Sequence, residues 1–173
     1  MPRKTRKIVL LTFAMVTLVL VAAMLYSFNE YTGIFKAVRS LKVSIQDFDF
    51  SILDPTKAVA TTALSLNNTS PYEFLAVGIQ QRIEMNGIYY IGTSRKEGVT
   101  TTNPYRIGPS SCSNMSLTLS LNLELLGTSN PDLIELLFDS SVEKTWQIVI
   151  LTFMEGPLLG QFRITTARSI GTS

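Results

Sequence analysis

From Ile8 to Tyr26 the chain reads IVLLTFAMVTLVLVAAMLY, without one charged residue. A segment apolar on every side has no place on the surface of a water-soluble domain. As a helix rising about 1.5 Å per residue it covers roughly 28 Å, close to the ~30 Å hydrocarbon core of a bilayer. Thr12 and Thr17 fit such a helix because a hydroxyl can bond a backbone carbonyl one turn back. The preceding residues 1–7, MPRKTRK, carry Arg3, Lys4, Arg6 and Lys7 and no acid. The positive-inside rule keeps this tail in the cytoplasm and puts everything after Tyr26 outside the cell or in a lumen. The rival reading is a cleaved signal peptide, with small residues at Val21-Ala22-Ala23 before the cut. A signal core usually spans only about 7–15 apolar residues, whereas this run is longer and stays apolar through Leu25 and Tyr26. It reads as an uncleaved signal-anchor.

That orientation changes what the charge means. The net charge is +2, from 15 basic and 13 acidic residues; setting aside the four basic residues of the tail leaves 11 against 13. The outer part is therefore about −2 and lacks the basic patch a nucleic-acid surface needs. No histidine occurs, which removes the commonest general base and the commonest transition-metal ligand. The single cysteine, Cys112, cannot close an intrachain disulfide, so the outer domain depends on its core. The thiol is either a buried or idle one or a site of intermolecular pairing.

Residues 27–40, SFNEYTGIFKAVRS, place Tyr31, Ile34, Phe35 and Val38 at i, i+3, i+4, i+7. This spacing predicts an amphipathic helical linker that lays one face on the domain, with Gly33 weakening it. Beyond it the period becomes two. Leu41, Val43 and Ile45 share a face, and the apolar set then hops to Phe48, Phe50 and Ile52, which predicts a bulge near Gln46-Asp47. Asp54-Pro55 ends that strand, and a second, from Ala58 to Leu66, turns Ala60, Thr62, Leu64 and Leu66 one way. A third puts Leu75, Val77, Ile79, Ile83 and Met85 on one face. Asn86-Gly87 then predicts a two-residue hairpin pairing Met85 with Ile88 and Ile83 with Tyr90, all inward. Residues 93–104 read as polar loop, and Leu117, Leu119, Leu121, Leu123 and Leu125 as a half-buried strand. In 130–138 Asn130 is placed to cap a short helix, with Pro131 and Asp132 in its first turn. Trp146 to Met154 is apolar on both faces, as a central strand would be. GPLLG turns the chain into a last strand lined by Phe162, Ile164 and Thr166.

Many alternating strands and one short helix predict an all-β domain, an antiparallel β-sandwich, preceded by one transmembrane helix. The organisation is residues 1–7 basic tail, 8–26 anchor, 27–40 helical linker and 41–173 sandwich.

Few residues offer chemistry. Asn67, Asn68 and Asn114 head Asn-X-Ser/Thr sequons and are candidate glycan acceptors; Asn67 and Asn68 are too close for both to be used. Asp47 and Asp49 share a strand face and could contribute to a calcium site or acid–base pair. No third carboxylate lies near except Asp54, so they read as a solvated face. There is no Walker-type loop and no G-x-G-x-x-G. Neither catalytic residues, nor a cofactor, nor a metal is expected. Leu117, Leu119, Leu121 and Leu123 read as core, or as the lining of an apolar groove if the sheets splay. The expected partners are the bilayer, through residues 8–26, and a lipid or protein at the outer surface.

Two stretches carry a resemblance. In 60–94, ATTALSLNNTSPYEFLAVGIQQRIEMNGIYYIGTS, a strand meets Asn67, then Pro71-Tyr72, then a strand leading to Asn86, Gly87 and Tyr90. In 149–170 a strand is followed by Pro157, Gly160 and Phe162. This order resembles the type 2 late embryogenesis abundant (LEA), or water-stress and hypersensitive-response, domain over about 41–170. The departure is that Asn and Pro are separated, with Asn68-Thr69-Ser70 between them. The resemblance implies an immunoglobulin-like sandwich, no catalytic residues, and a role in stress tolerance or in binding apolar ligands. Three expectations follow: a membrane-anchored protective or surface-interaction domain, a lipid-handling domain, or a pilin-like filament subunit with the apolar helix as its core.

Overall fold

The computed structural model describes residues 3–157 and 160–172. Helix α1 runs from Arg3 to Ser40 without a break, so anchor and linker are one rod. Its apolar first part buries nothing: the window most suited to a membrane has a mean hydropathy of 2.2 and is 0% buried. Its last turns pack on the domain through Ile34 and Ala37, with Val38 half-buried. Tyr31 and Phe35, expected on that face, stay 51% exposed on another side of the helix. Gly33 works for the packing, since a Cβ there would sit 3.0 Å from the Tyr72 hydroxyl.

Eight strands and two short helices follow: β1 (Leu41–Asp54), β2 (Lys57–Asn68), β3 (Phe74–Met85), β4 (Tyr89–Arg95), β5 (Tyr105–Ile107), β6 (Ser111–Asn122), α2 (Leu123–Ser129), α3 (Pro131–Phe138), β7 (Lys144–Gly156) and β8 (Gly160–Thr172). All pairings are antiparallel. One sheet has the order β1-β2-β6; the other has β4-β3-β7-β8, with β5 on the same side of β3 as β4 in sequence of pairing but nearer its start. Their buried side chains form one core. Leu41, Val43, Ala58, Ala60, Leu64, Leu66, Leu117 and Leu119 come from the first sheet, and Phe74, Ile79, Ile83, Met85, Trp146, Ile148, Ile150 and Met154 from the second. Along the β1–β8 seam the Thr166 hydroxyl donates to the Val43 carbonyl at 2.9 Å, and Arg168 donates to the Ile45 carbonyl at 2.8 Å.

The bulge in β1 lies where the phase change puts it: Ile45 pairs with Leu64 and Asp47 with Ala63, leaving Gln46 over. β2 turns Ala60, Thr62, Leu64 and Leu66 inward, and β7 is central, between β3 and β8. Other registers differ from the sequence reading. A bulge between Ala76 and Gly78 shifts the phase of β3, so that Phe74 and Ala76 face the core at its start and Leu75 does not. Gln81, passed over in the sequence, is fully buried on that inner face. Asn86 and Gly87 both take positive φ (54° and 66°) and the Ile88 amide donates to the Met85 carbonyl, as in the expected turn, yet the ladder pairs Met85 with Tyr89, one residue later than expected. A second irregularity beside Glu84 then brings Ile91 into the core and leaves Ile88 80% and Tyr90 49% exposed. The leucine strand stops at Asn122: its side chain accepts from the Leu125 amide and starts α2, putting Leu125 in solvent. Asn130, expected to cap α3, makes no side-chain cap bond, although Pro131 does occupy the first turn. Of the GPLLG turn, Leu158 and Leu159 lie outside the described residues; Gly156 pairs with Gly160 across it.

Candidate functional site

Strand registers sort the loops into two ends. At the end joined to α1 lie the start of β1, the 69–73 connection, the start of β6 and the turn between β7 and β8. The other end carries the β1–β2 turn, the Asn86-Gly87 hairpin, α2 and α3.

Asn68 organises the α1 end. It is fully buried, and its side-chain nitrogen donates to the carbonyls of Tyr72 (2.7 Å) and Gly108 (2.8 Å). Its oxygen accepts from the amide of Ser70 at 3.0 Å and from the Ser70 hydroxyl at 2.7 Å. The residue ties three segments together in an Asx turn. The amide nitrogen a sugar would occupy is enclosed and bonded in the folded domain. Asn67 is half-buried beside it, and Asn114 on β6 is exposed. Cys112 is exposed too, not buried, with its sulfur 3.2 Å from the Ser65 hydroxyl oxygen.

The candidate groove is filled by the protein itself. Leu117, Leu119, Leu121 and Leu123 are each at most 8% exposed within the core. Gly92 brings the β4 backbone onto this ladder; a Cβ there would meet Leu119 at 3.1 Å and Leu121 at 3.5 Å. Open space lies elsewhere. Past the β1 bulge, a cleft of about 410 Å³ is lined by Phe48, Asp49, Phe50, Ile52, Leu137, Lys144 and Trp146. Phe50 stacks on Trp146 with ring centroids 4.4 Å apart, and Phe48 lies at 5.5 Å. A second cleft, of about 530 Å³, lies beside the 96–101 loop, with Val77, Gly78 and Phe153 in its apolar part. Phe153 is 39% exposed there.

Asp47 and Asp49 are exposed and locally engaged: Asp47 accepts from the Phe48 amide and Asp49 from the Ser51 hydroxyl. Among the described residues no group of three His, Cys, Asp or Glu side chains could hold a metal ion. Two carboxylates are tuned, both in turns away from α1. The Thr56 hydroxyl, with the Thr56 amide, holds the Asp54 carboxyl below its ordinary range; the Ser141 hydroxyl and amide do the same for Asp139.

Sequence reasoning missed Asn68 as a fastener and the aromatic cleft. The first had a signal, since Asn-X-Ser between two strands is also the pattern of an Asx turn. The second had none, because Trp146 and Phe50 are far apart in the chain.

No family model and no curated protein matches this chain. Solved structures do. A protein from Archaeoglobus fulgidus aligns at a TM-score of 0.52 and 16% identity, over 78% of this chain and 97% of its own. A solution structure from Arabidopsis thaliana aligns at 0.55 and 13% identity, over 75% and 79%. A third, provisionally described as a late embryogenesis abundant protein, aligns at 0.51 and 12% identity, over 87% and 84%. At these identities the likeness is one of fold: the β-domain is loosely LEA-like.

Proposed function

We propose that this protein is a single-pass membrane protein that displays a non-catalytic, LEA type 2-like β-sandwich outside the cell, in protection or surface contact under water stress. One observation carries the reading. The apolar part of α1 is wholly exposed, yet the same helix continues into buried contacts at Ile34 and Ala37. An exposed apolar rod requires a non-aqueous surrounding, and its union with the domain holds the sandwich next to that surrounding. The LEA-like neighbour and the type 2 motifs support the kind of domain; the lack of histidine supports a non-catalytic role.

Carbonate extraction and protease shaving of intact cells test this. The full chain is expected to stay with membranes and to lose residues 41–173 to external protease. Release by carbonate, or protection of the domain in intact cells, overturns it. A filament subunit would instead appear as intact chain in sheared extracellular filaments. Apolar-ligand handling is a second reading, favoured by the 530 Å³ cleft with half-open Phe153. Lipid mass spectrometry of the purified chain, with Phe153→Asp as control, decides it.

A further inference from the structure

Past Tyr26 the surface of α1 divides into two sides. Ile34 and Ala37 are buried against the domain, Gly33 faces Tyr72, and Glu30, the one acid between Arg3 and Ser40, is half-buried on that side. At about 100° per residue, Phe28, Tyr31 and Phe35 lie roughly a third of a turn away from Ile34 and Ala37. They are 68%, 51% and 51% exposed, and the exposed charged residues that follow them, Lys36 and Arg39, are both basic. The Arg39 guanidinium reaches back one turn to lie 5.9 Å from the centre of the Phe35 ring, and the Tyr31 and Phe35 rings are 6.4 Å apart.

The charge-free run is too long to stand upright in a bilayer. No charge occurs from Ile8 to Asn29, 22 residues or about 33 Å of helix, against ~30 Å of hydrocarbon. Such a span fits at a tilt of about 25°, within the usual range of membrane helices, and interfacial aromatic and basic anchors set its direction. On α1 those anchors stand on one side only. Because the helix is unbroken to Ser40, the lean of the span passes to them. Upright, the Phe35 backbone stands about 9 Å beyond Asn29, clear of a headgroup layer of about 5–8 Å. A lean of about 25° towards Phe28, Tyr31 and Phe35 lowers the Phe35 ring to roughly 6 Å and brings Tyr31 to the hydrocarbon edge. The same lean lifts the flank that carries Ile34, Ala37 and the sandwich.

We propose that the Phe28, Tyr31 and Phe35 face of α1 lies in the outer leaflet of the membrane, as an interfacial lipid-binding surface that fixes how the sandwich is held above the bilayer. The partner is phospholipid: the aromatic rings sit at headgroup level and Arg39 pairs with phosphate. The face is continuous with the exposed apolar span, through Met24 at 76% exposure and Phe28, so one surrounding covers both. Its charges complement phosphate, since the only acid nearby on the helix, Glu30, is turned to the domain. The inference rests on the anchor reading of α1 and adds to it the direction of tilt and the face that meets lipid beyond the span.

The test is spin-label depth measurement on the full chain in a Cys112→Ser background, reconstituted in vesicles of phosphatidylcholine with a minority of phosphatidylglycerol. Nitroxides at Phe28→Cys, Tyr31→Cys and Phe35→Cys should collide with dissolved oxygen, relative to a water-soluble nickel complex, several-fold more than nitroxides at Lys36→Cys and Lys42→Cys. All five positions are exposed, so circular dichroism should show the same melting temperature for each labelled chain. Equal collision ratios at Phe35→Cys and Lys36→Cys overturn the inference and leave an upright helix. Dipolar broadening between labels at Tyr31→Cys or Phe35→Cys, without oxygen contact, assigns the face to a second copy and also overturns it. Flotation of the same vesicles separates the two readings. A chain that fails to float overturns the anchor and this inference together, whereas a floating chain with water-exposed labels overturns the inference alone.

Discussion

At the scale of single residues, Asn68 shows how one side chain can carry two meanings. Its Asn-Thr-Ser context is a glycan signal in an unfolded chain, whereas in the fold its amide is a buried fastener bonded to Tyr72, Gly108 and Ser70. Truncation strands several buried groups, each costing roughly 1–3 kcal/mol. Asn68→Ala is accordingly expected to destabilise the domain by about 3 kcal/mol or more, read from urea unfolding. The opposite outcome is expected at Thr62 and Thr152, whose hydroxyl oxygens are buried without a partner. Thr62→Val and Thr152→Val remove an uncompensated polar group at nearly constant shape. They should be neutral or stabilise by up to about 1 kcal/mol in the same measurement. A period-two pattern assigns Thr62 to the inner face but is silent on whether its hydroxyl finds a partner there.

At the scale of elements, period and turn chemistry made most strands legible and misplaced their registers. The β1 bulge could be read because Ile45 and Phe48 change phase in sequence. The β3 bulge could not, because Leu75, Ala76 and Val77 are all apolar and either phase looks acceptable. Asn122 starts a helix inside an unbroken leucine alternation, a tertiary choice no local propensity revealed. The turns away from α1 add a pH dependence. Asp54 and Asp139 are held below their ordinary values by hydroxyl and amide donors, so the folded form resists protonation more than the unfolded chain does. That stabilisation is complete at neutral pH and declines as pH falls below about 4. The double variant Asp54→Asn/Asp139→Asn keeps the turn acceptors and is expected to show a shallower acid loss in melting temperature between pH 5 and pH 3, taking ~3.9 as the unfolded reference.

At the scale of the whole molecule, the boundary between the apolar rod and the domain is a change in burial along one helix. Residues Leu11 to Asn29 bury nothing, whereas Ile34 and Ala37 are 1% and 3% exposed. Removing residues 1–29 should therefore yield a soluble domain with an unchanged melting temperature, followed by circular dichroism. Starting the chain at Leu41 instead uncovers the core beneath Ile34 and Ala37 and should cost about 2–3 kcal/mol. A full-length chain that extracts as readily as the shortened one would contradict the anchor.

By itself the sequence determined what depends on composition and period: a charge-free helix long enough for a bilayer, a basic tail before it, antiparallel strands with one buried face, and no histidine chemistry. These properties are local, and near neighbours in the chain suffice to specify them. Only the tertiary structure decided which of two phases β3 adopts, that the leucine ladder is filled core, and that Asn68 is a fastener. It also decided which face of α1 the domain covers. Those outcomes rest on contacts between segments far apart in sequence, where burial and hydrogen bonding across the two sheets outweigh the local pattern.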